Sequence, residues 1–451
     1  MIPLFHIAYI THECEMEKER CIHFPCFTFV FSILILVFLL THPVKPDILT
    51  DLVERIFLTQ DPDHGASAPQ LITSRGFKYE IHYFVSQDGF INAIHRIVNP
   101  KFPVTRSAIL LFHGITGASS NFLCDDLTGH IDEPLTFVGS NIGFELAKRG
   151  HDVWLIDQRA TPFSSNHTRY KSYQKEYWNW SLDEIALLDL PAAIDYIRGC
   201  TKRHQIGYIG HSQGSQVMFM LLSRIPKYNN LIQPAVFLAP TFYLGHTVFM
   251  TSALLRFLPY QQIELLLKKL GGKLTNAVIT DILTEVCRVN PYNELCKLFG
   301  FIHLSFGSFL IIPTLPNLKY HKMPVFLSSA LYQTVSARQL AHNIQIVRTD
   351  EPRMIDYSPE VNMKLYGTTT PPLYDPSIIT CKTMAFFSAV SDSMTDPIGV
   401  QKLRQRLPVP LIYDHVIKDP SFGHASFIFA ERSLIVAYII RPVISIFDAF
   451  Y

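Results

Sequence analysis

The sequence predicts an α/β fold: a mostly parallel eight-stranded sheet flanked by helices, with a helical cap inserted into it. Three observations carry that expectation. Short apolar segments, residues 107–112 and 152–156 among them, alternate with stretches of helical pattern, as in an open sheet whose strands are covered on both faces. A strand-like segment at 206–210 and a helix-like one at 215–223 are joined by the tight, glycine-flanked turn Gly210-His211-Ser212-Gln213-Gly214. The alternation stops between about 241 and 344 and then resumes, which marks an insertion rather than a second sheet.

In chain order, residues 1–20 are a polar leader, acidic toward its end, and residues 21–41 hold an uncharged apolar run. That run, Cys26 to Leu40, has the length of a signal-peptide core; extended back to Ile22 it suffices for a single membrane anchor. Either reading sends the chain into the secretory pathway. The sequons at Asn166 and Asn179 fit lumenal exposure. Residues 42–240 read as the first part of the α/β core. They open with two alternating strands around Gln87-Asp88-Gly89, an Asp-Gly hairpin. A helix pattern from Asn141 to Arg149 is closed by Gly150, and Ser181-Leu182-Asp183-Glu184 is a capping box that opens the next helix. Residues 241–345 form the cap, apolar and helix-like, broken by Gly271-Gly272 and by prolines at 313, 316 and 324. Residues 346–451 complete the core, with strands near 383–388 and 411–417 and a last helix from about Ala425.

Composition narrows the function. A net charge of +1 with only 17% charged residues removes any electrostatic case for nucleic acid as a partner. The 48% hydrophobic share suits a protein that handles apolar substrates. The eight cysteines include no CxxC pair and no zinc-like spacing, so neither a metal nor another cofactor is expected. Cys287 and Cys296 are spaced to close a short loop by a disulfide in an oxidising compartment.

A Gly-x-Ser-x-Gly turn between strand and helix is the nucleophile elbow of α/β-hydrolases, which raises the serine above the sheet and leaves the following N–H at a helix N-terminus. Ser212 is therefore the candidate nucleophile, and the Gln213 N–H one oxyanion donor. In that arrangement the acid follows the seventh strand and the base follows the eighth. Asp392 stands directly past the end of the seventh strand. Asp396, one turn later and beside Pro397, reads instead as a helix-start residue. His424, just ahead of the last helix, is the candidate base, and His211 inside the elbow reads as packing. His113-Gly114-Ile115 follows the third strand, so the Ile115 N–H is the second candidate donor and His113 a brace for its loop.

These stretches, together with Asp88-Gly89-Phe90-Ile91, Leu111-Phe112-His113-Gly114, Asn362-Met363-Lys364-Leu365-Tyr366-Gly367 and Gly423-His424-Ala425-Ser426-Phe427, resemble the acid lipase family of gastric and lysosomal acid lipases. The resemblance covers about residues 72–435. It implies Ser212, Asp392 and His424 as a catalytic triad, Ile115 and Gln213 as oxyanion donors, and Cys287/Cys296 as the cysteine pair of the cap. It also implies a neutral lipid ester, triacylglycerol or steryl ester, met at a lipid–water interface. A small-substrate carboxylesterase and a catalytically inactive lipid-binding secretory protein are the competing readings. Two stretches depart from the family pattern. Asp157-Gln158-Arg159-Ala160-Thr161 stands where relatives read Asn-Ser-Arg-Gly-Asn, and Ala389-Val390-Ser391-Asp392 where they read Gly-Gly-x-Asp.

Overall fold

The computed structural model describes residues 62–63, 65–101, 103–247, 260–269, 272–274, 325 and 333–451. The predicted leader, the apolar run at 21–41 and the Cys287/Cys296 pair lie outside these residues, as does most of the predicted cap.

Eight strands form the main run of a nine-stranded sheet: β1 Lys78–Val85, β2 Phe90–Val98, β3 Ala108–Phe112, β4 Asp152–Ile156, β5 Ile206–His211, β6 Ile232–Leu238, β7 Met384–Ala389 and β8 Tyr413–Ile417, with the two-residue strand Asn166–His167 pairing antiparallel to β2 at the side. Their order is β1-β2-β4-β3-β5-β6-β7-β8. The β1–β2 hairpin is antiparallel, β2 runs antiparallel to β4, and every later pairing is parallel. The hairpin turns where the sequence predicts it, with Gly89 at φ +100°, a conformation open to glycine at little cost.

Parallel strands covered on both faces need apolar residues at every position, and the period of two sends alternate ones to opposite sides. Ile109 and Leu111 of β3 join the core on one face, and Ala108, Leu110 and Phe112 join the other. Val153 and Leu155 of β4 divide from Trp154 and Ile156 in the same way. The first face is covered by α1 (Ala68–Ser74), α2 (Ile142–Lys148) and the C-terminal helix. The second is covered by α3 (182–201) and by α4 (Gln213–Arg224). Helix α3 starts at Leu182–Glu184 behind the predicted capping box, where Ser181 N–H donates to Glu184 Oε2 at 2.7 Å. It then passes through a π turn, Ile185–Asp189, before continuing as Leu190–Thr201.

Between β6 and β7 the described part of the insertion comprises α5 (Tyr260–Lys269), a two-residue ladder of Lys273–Leu274 against Val335–Ser336, and α6 (Ala337–Thr349). Arg338 Nε donates to Glu264 Oε1 at 2.9 Å, tying α6 to α5. Helix α6 runs straight through residue 345, with Ile346 in the core of the second face. Two shorter helices follow, α7 (Pro359–Tyr366) and α8 (Pro397–Arg406).

The last helix begins later than the sequence suggests. Residues His424–Phe427 form a single 3-10 turn, and the helix proper starts at Arg432–Ile435, crosses a π turn at Val436–Ile440 and ends as Arg441–Phe450. Gly423 N–H donates to Ser426 Oγ at 3.1 Å, so the first turn closes on itself instead of propagating. Arg432–Phe450 is also long and apolar enough to cross a membrane by composition. Here it serves as a core helix: Phe447 is fully buried and lies against Gly207 of β5, where an added Cβ would come 2.4 Å from its ring.

His151, at the foot of β4, meets the Phe447 ring at 5.8 Å, and its Nδ1 lies 3.3 Å from Ser107 Oγ. Burial, and then the Arg106 charge, push its pKa from 6.5 to about 4, with Arg149 adding to the shift and Asp448 opposing it. Between those two pH values the unfolded chain binds a proton that the folded chain refuses. Stability therefore falls as pH falls through that window, by about 3 kcal/mol for this group. His151→Gln is expected to lose less stability than the parent between pH 7 and pH 4.5 in urea unfolding; equal losses would refute the assignment.

Candidate active site

The elbow is a steric solution. Ser212 has φ 53° and ψ −115°, a backbone state that costs a non-glycine residue on the order of 1–3 kcal/mol. It is held there by Ser212 N–H donating to Leu238 O at 2.9 Å and by Gln216 N–H donating to Ser212 O at 3.1 Å. The two glycines give the turn its room. A Cβ on Gly214 would come 2.2 Å from Phe112 O, and one on Gly210 would come 2.7 Å from the Gly214 carbonyl carbon. Helix α4 can therefore lie directly on the end of β3.

The structure brings Ser212, His424 and Asp392 together in one line. His424 Nε2 is 2.8 Å from Ser212 Oγ, and His424 Nδ1 is 2.9 and 3.1 Å from the two Asp392 oxygens. All three residues are buried. With Nδ1–H donated to the carboxylate, Nε2 is left as an acceptor facing the hydroxyl, the tautomer a general base requires. Asp392 is fixed in turn: its Oδ1 accepts from Met394 N–H at 2.9 Å and from Thr395 N–H at 2.8 Å. Asp396 faces the other way and caps α8, accepting from Gly399 N–H at 2.9 Å. The His211 ring lies 5.2 Å from that of His424, tilted by 37°, with its Nε2 3.4 Å from His424 O. Burial and then the neighbouring His424 hold the His211 pKa well below its ordinary value, so it adds no charge next to the base.

Gly114 closes against the serine, where an added Cβ would stand 3.2 Å from Ser212 Cβ. Among the described residues, the N–H groups of Ile115 and Gln213 find no hydrogen-bond acceptor. These are the two N–H groups the sequence offers as oxyanion donors, and Gly114, which precedes Ile115, lies against Ser212. His113 braces this loop. Its Nε2 accepts from Gln158 N–H at 3.2 Å, so the ring proton sits on Nδ1, which donates to Gly114 O at 2.8 Å. Burial pushes the His113 pKa down against the pull of Asp157, which keeps that neutral tautomer in place.

A cluster next to the loop after β4 has pairings that no local pattern in the sequence shows. Arg159, fully buried, donates to both oxygens of Asp189 at 2.6 Å and to Asp88 at 2.7 and 3.1 Å. Its guanidinium also lies 4.1 Å over the Phe90 ring. Burial opposes its charge, but Asp189 and Asp88 outweigh that and hold it firmly protonated. Asp189 is the last residue of the π turn in α3. These residues are scattered from 88 to 189, so no local pattern announces them.

A serine on a strained strand-to-helix turn, within reach of a histidine that a carboxylate orients, defines the class: a serine hydrolase of the α/β-hydrolase fold. The family model for the alpha/beta hydrolase fold matches residues 107–269, and that for a partial alpha/beta-hydrolase lipase region matches residues 68–126. A Crotalus adamanteus protein named after lysosomal acid lipase/cholesteryl ester hydrolase is 30% identical over 82% of this chain and 87% of its own. Human gastric triacylglycerol lipase is 29% identical over 82% and 88%, and Drosophila melanogaster Lipase 1 is 29% identical over 82% and 77%. The chain belongs to the acid lipase family, whose members are carboxylic ester hydrolases. A solved structure from Sulfolobus solfataricus, assigned as a lipase, shares the fold with a TM-score of 0.50 at 13% identity, covering 83% of this chain and 95% of its own.

Gly214→Ala puts the best helix former at the second position of a helix, a change worth about +1 kcal/mol by propensity alone. The Phe112 carbonyl reverses the sign. Thermal unfolding is expected to show a loss of about 1–3 kcal/mol together with loss of esterase activity. An unchanged or raised Tm would show that α4 does not need this close approach.

Proposed function

We propose that this protein hydrolyses neutral lipid esters, triacylglycerol or steryl ester, through an acyl-enzyme on Ser212. The observation that carries the reading is the unbroken hydrogen-bonded line from Ser212 Oγ through His424 to Asp392. His424 Nε2 takes the serine proton as Oγ attacks the ester carbonyl, and the carbonyl oxygen gains its negative charge beside the N–H groups of Ile115 and Gln213. Collapse of the tetrahedral species expels the alcohol, which leaves with the proton held on His424. Water then gives its proton to His424 and attacks the acyl carbon. The fatty acid departs and Ser212 regains its hydrogen. Asp392 holds the imidazole in register and stabilises its charged form in both halves. Every step is served by side chains and backbone of this chain.

The lipid part of the reading is supported by relatives named for triacylglycerol and cholesteryl ester hydrolysis and by the apolar composition of the inserted cap. A substrate of that class would be met at a lipid–water interface. The secretory pathway is supported by the apolar N-terminal run and by the exposed side chains of Asn166 and Asn179 at the two sequons.

The test is turnover of a long-chain triacylglycerol emulsion, a cholesteryl ester and a soluble short-chain ester by the full chain, beside Ser212→Ala and Asp392→Asn. Long-chain turnover is expected, falling at least about 10³-fold in Ser212→Ala and by a comparable factor in Asp392→Asn. Turnover confined to the soluble ester would make the protein a carboxylesterase. No turnover by a folded chain would reject the enzyme reading.

A further inference from the structure

Three buried glutamines close a ring beside the nucleophile, and we propose that this ring positions both oxyanion donors, with Gln158 as the residue that reaches each of them. The proposal rests on the ester-hydrolase reading above. Gln213 Nε2 donates to Gln158 Oε1 at 2.5 Å, Gln158 Nε2 donates to Gln339 Oε1 at 3.4 Å, and Gln339 Nε2 donates to Gln213 Oε1 at 2.8 Å. Each amide gives one hydrogen bond and takes one, so the ring is consistent in direction throughout. All three side chains are buried, and an open link would leave polar atoms without partners away from water.

The ring joins three separate elements. Gln213 is the first residue of α4 and carries one donor N–H on its own backbone. Gln158 lies in the loop after β4, and Gln339 lies in the first turn of α6, where its N–H is capped by Ser336 Oγ at 2.9 Å. Gln158 also reaches the second donor. Its backbone N–H supports His113, and His113 donates to Gly114 O, the carbonyl of the peptide whose N–H belongs to Ile115. The segment that carries Gln339 touches this second arm as well, since Gln333 N–H donates to Thr116 O at 3.3 Å.

Gln158 is itself held rigidly. On one side Asp157 is bound by His95 Nε2 at 3.0 Å and by Ser119 N–H at 2.8 Å. On the other side Arg159 is fixed by two carboxylates. A side chain set between two immobile neighbours can orient a partner, and a displacement of about 1 Å at a reacting centre is worth up to about 10²-fold in rate. Gln158 and Gln339 are accordingly positioning residues: they act on the oxyanion through Gln213 and His113.

The experiment compares the full-length parent with Ser212→Ala, Gln158→Met, Gln339→Met and the double variant Gln158→Met/Gln339→Met. It reads kcat and KM on p-nitrophenyl butyrate and inhibition by butylboronic acid, whose serine adduct mimics the tetrahedral species. Active sites are counted by fluorophosphonate labelling. The expected result is a fall in kcat of about 10–100-fold with KM within about twofold, and a parallel loss of boronate affinity. The double variant should cost no more than the worse single one, because one broken link already opens the ring. Gln339→Asn, which keeps the amide and shortens its reach, gives the same readout should the methionine variants fail to fold. Unchanged kcat per labelled site, or multiplicative losses in the double variant, would overturn the ring while leaving the hydrolase reading intact. Absence of turnover in the parent would sink both.

Discussion

Everything at the active end of this molecule depends on the contact of α4 with the last residue of β3. Gly214 rests on the Phe112 carbonyl, and Gly210 lets the turn fold back on itself. That distance fixes how far Ser212 stands above the sheet and forces its backbone into the left-handed region. It also brings the loop after β3 alongside the serine, so a single close approach assembles the hydroxyl and the donors. The remaining members need only reach a point already defined. His424 does so from a 3-10 turn, and Asp392 does so from a loop whose own N–H groups bind its carboxylate. No α-helix or strand carries those two residues, yet neither is loosely held.

A second constraint frames the site from the side. Arg159 and Asp189, both buried, form with the exposed Asp88 a charge cluster whose buried pair, by general experience with such groups, adds little net stability over an apolar core of the same volume. What it offers is position. A guanidinium bound by two carboxylates along fixed directions, and stacked on Phe90, has one placement, and the loop from Asp157 to Thr161 inherits it. The π turn of α3 belongs to the same device, because the extra residue in that turn sets the end of the turn, Asp189, against Arg159. Such turns are uncommon in ordinary helices and collect where a side chain must be re-aimed.

The elements that could be read from the sequence are those whose cause is local. Apolar strands, the Asp-Gly hairpin, the Ser181 capping box and the Gly210–Gly214 elbow each announce themselves within a few residues, and the positions of Asp392 and His424 follow from counting strands. The late start of the last helix was not legible, because Ala425 to Phe427 has helical composition and only the Gly423–Ser426 hydrogen bond shows that the turn closes early. Arg159 with its carboxylates, and the glutamines at 158, 213 and 339, were illegible for a different reason. Their partners are far apart in sequence, from 55 to 181 residues for the glutamine contacts, and glutamine carries no residue-type signal for a buried role.

The stretch Asp157-Gln158-Arg159-Ala160-Thr161, which departs from the Asn-Ser-Arg-Gly-Asn of the resembling lipases, reads differently once its contacts are known. Asp157 meets His95 with a charge an asparagine lacks; burial opposes that charge, but His95 holds the carboxyl below its usual range. Ala160 has φ 71°, a conformation suited to the glycine found in relatives and strained for alanine by on the order of 1 kcal/mol. The strain is tolerated because Ala160 N–H donates to Ser164 O at 2.9 Å and the two residues before it cannot move. Arg159, shared with the relatives, remains the anchor. The substitutions on either side of it therefore work as one change: a stronger hold at 157, a longer side chain at 158 that spans to α4 and α6, and a backbone at 160 kept in place by both.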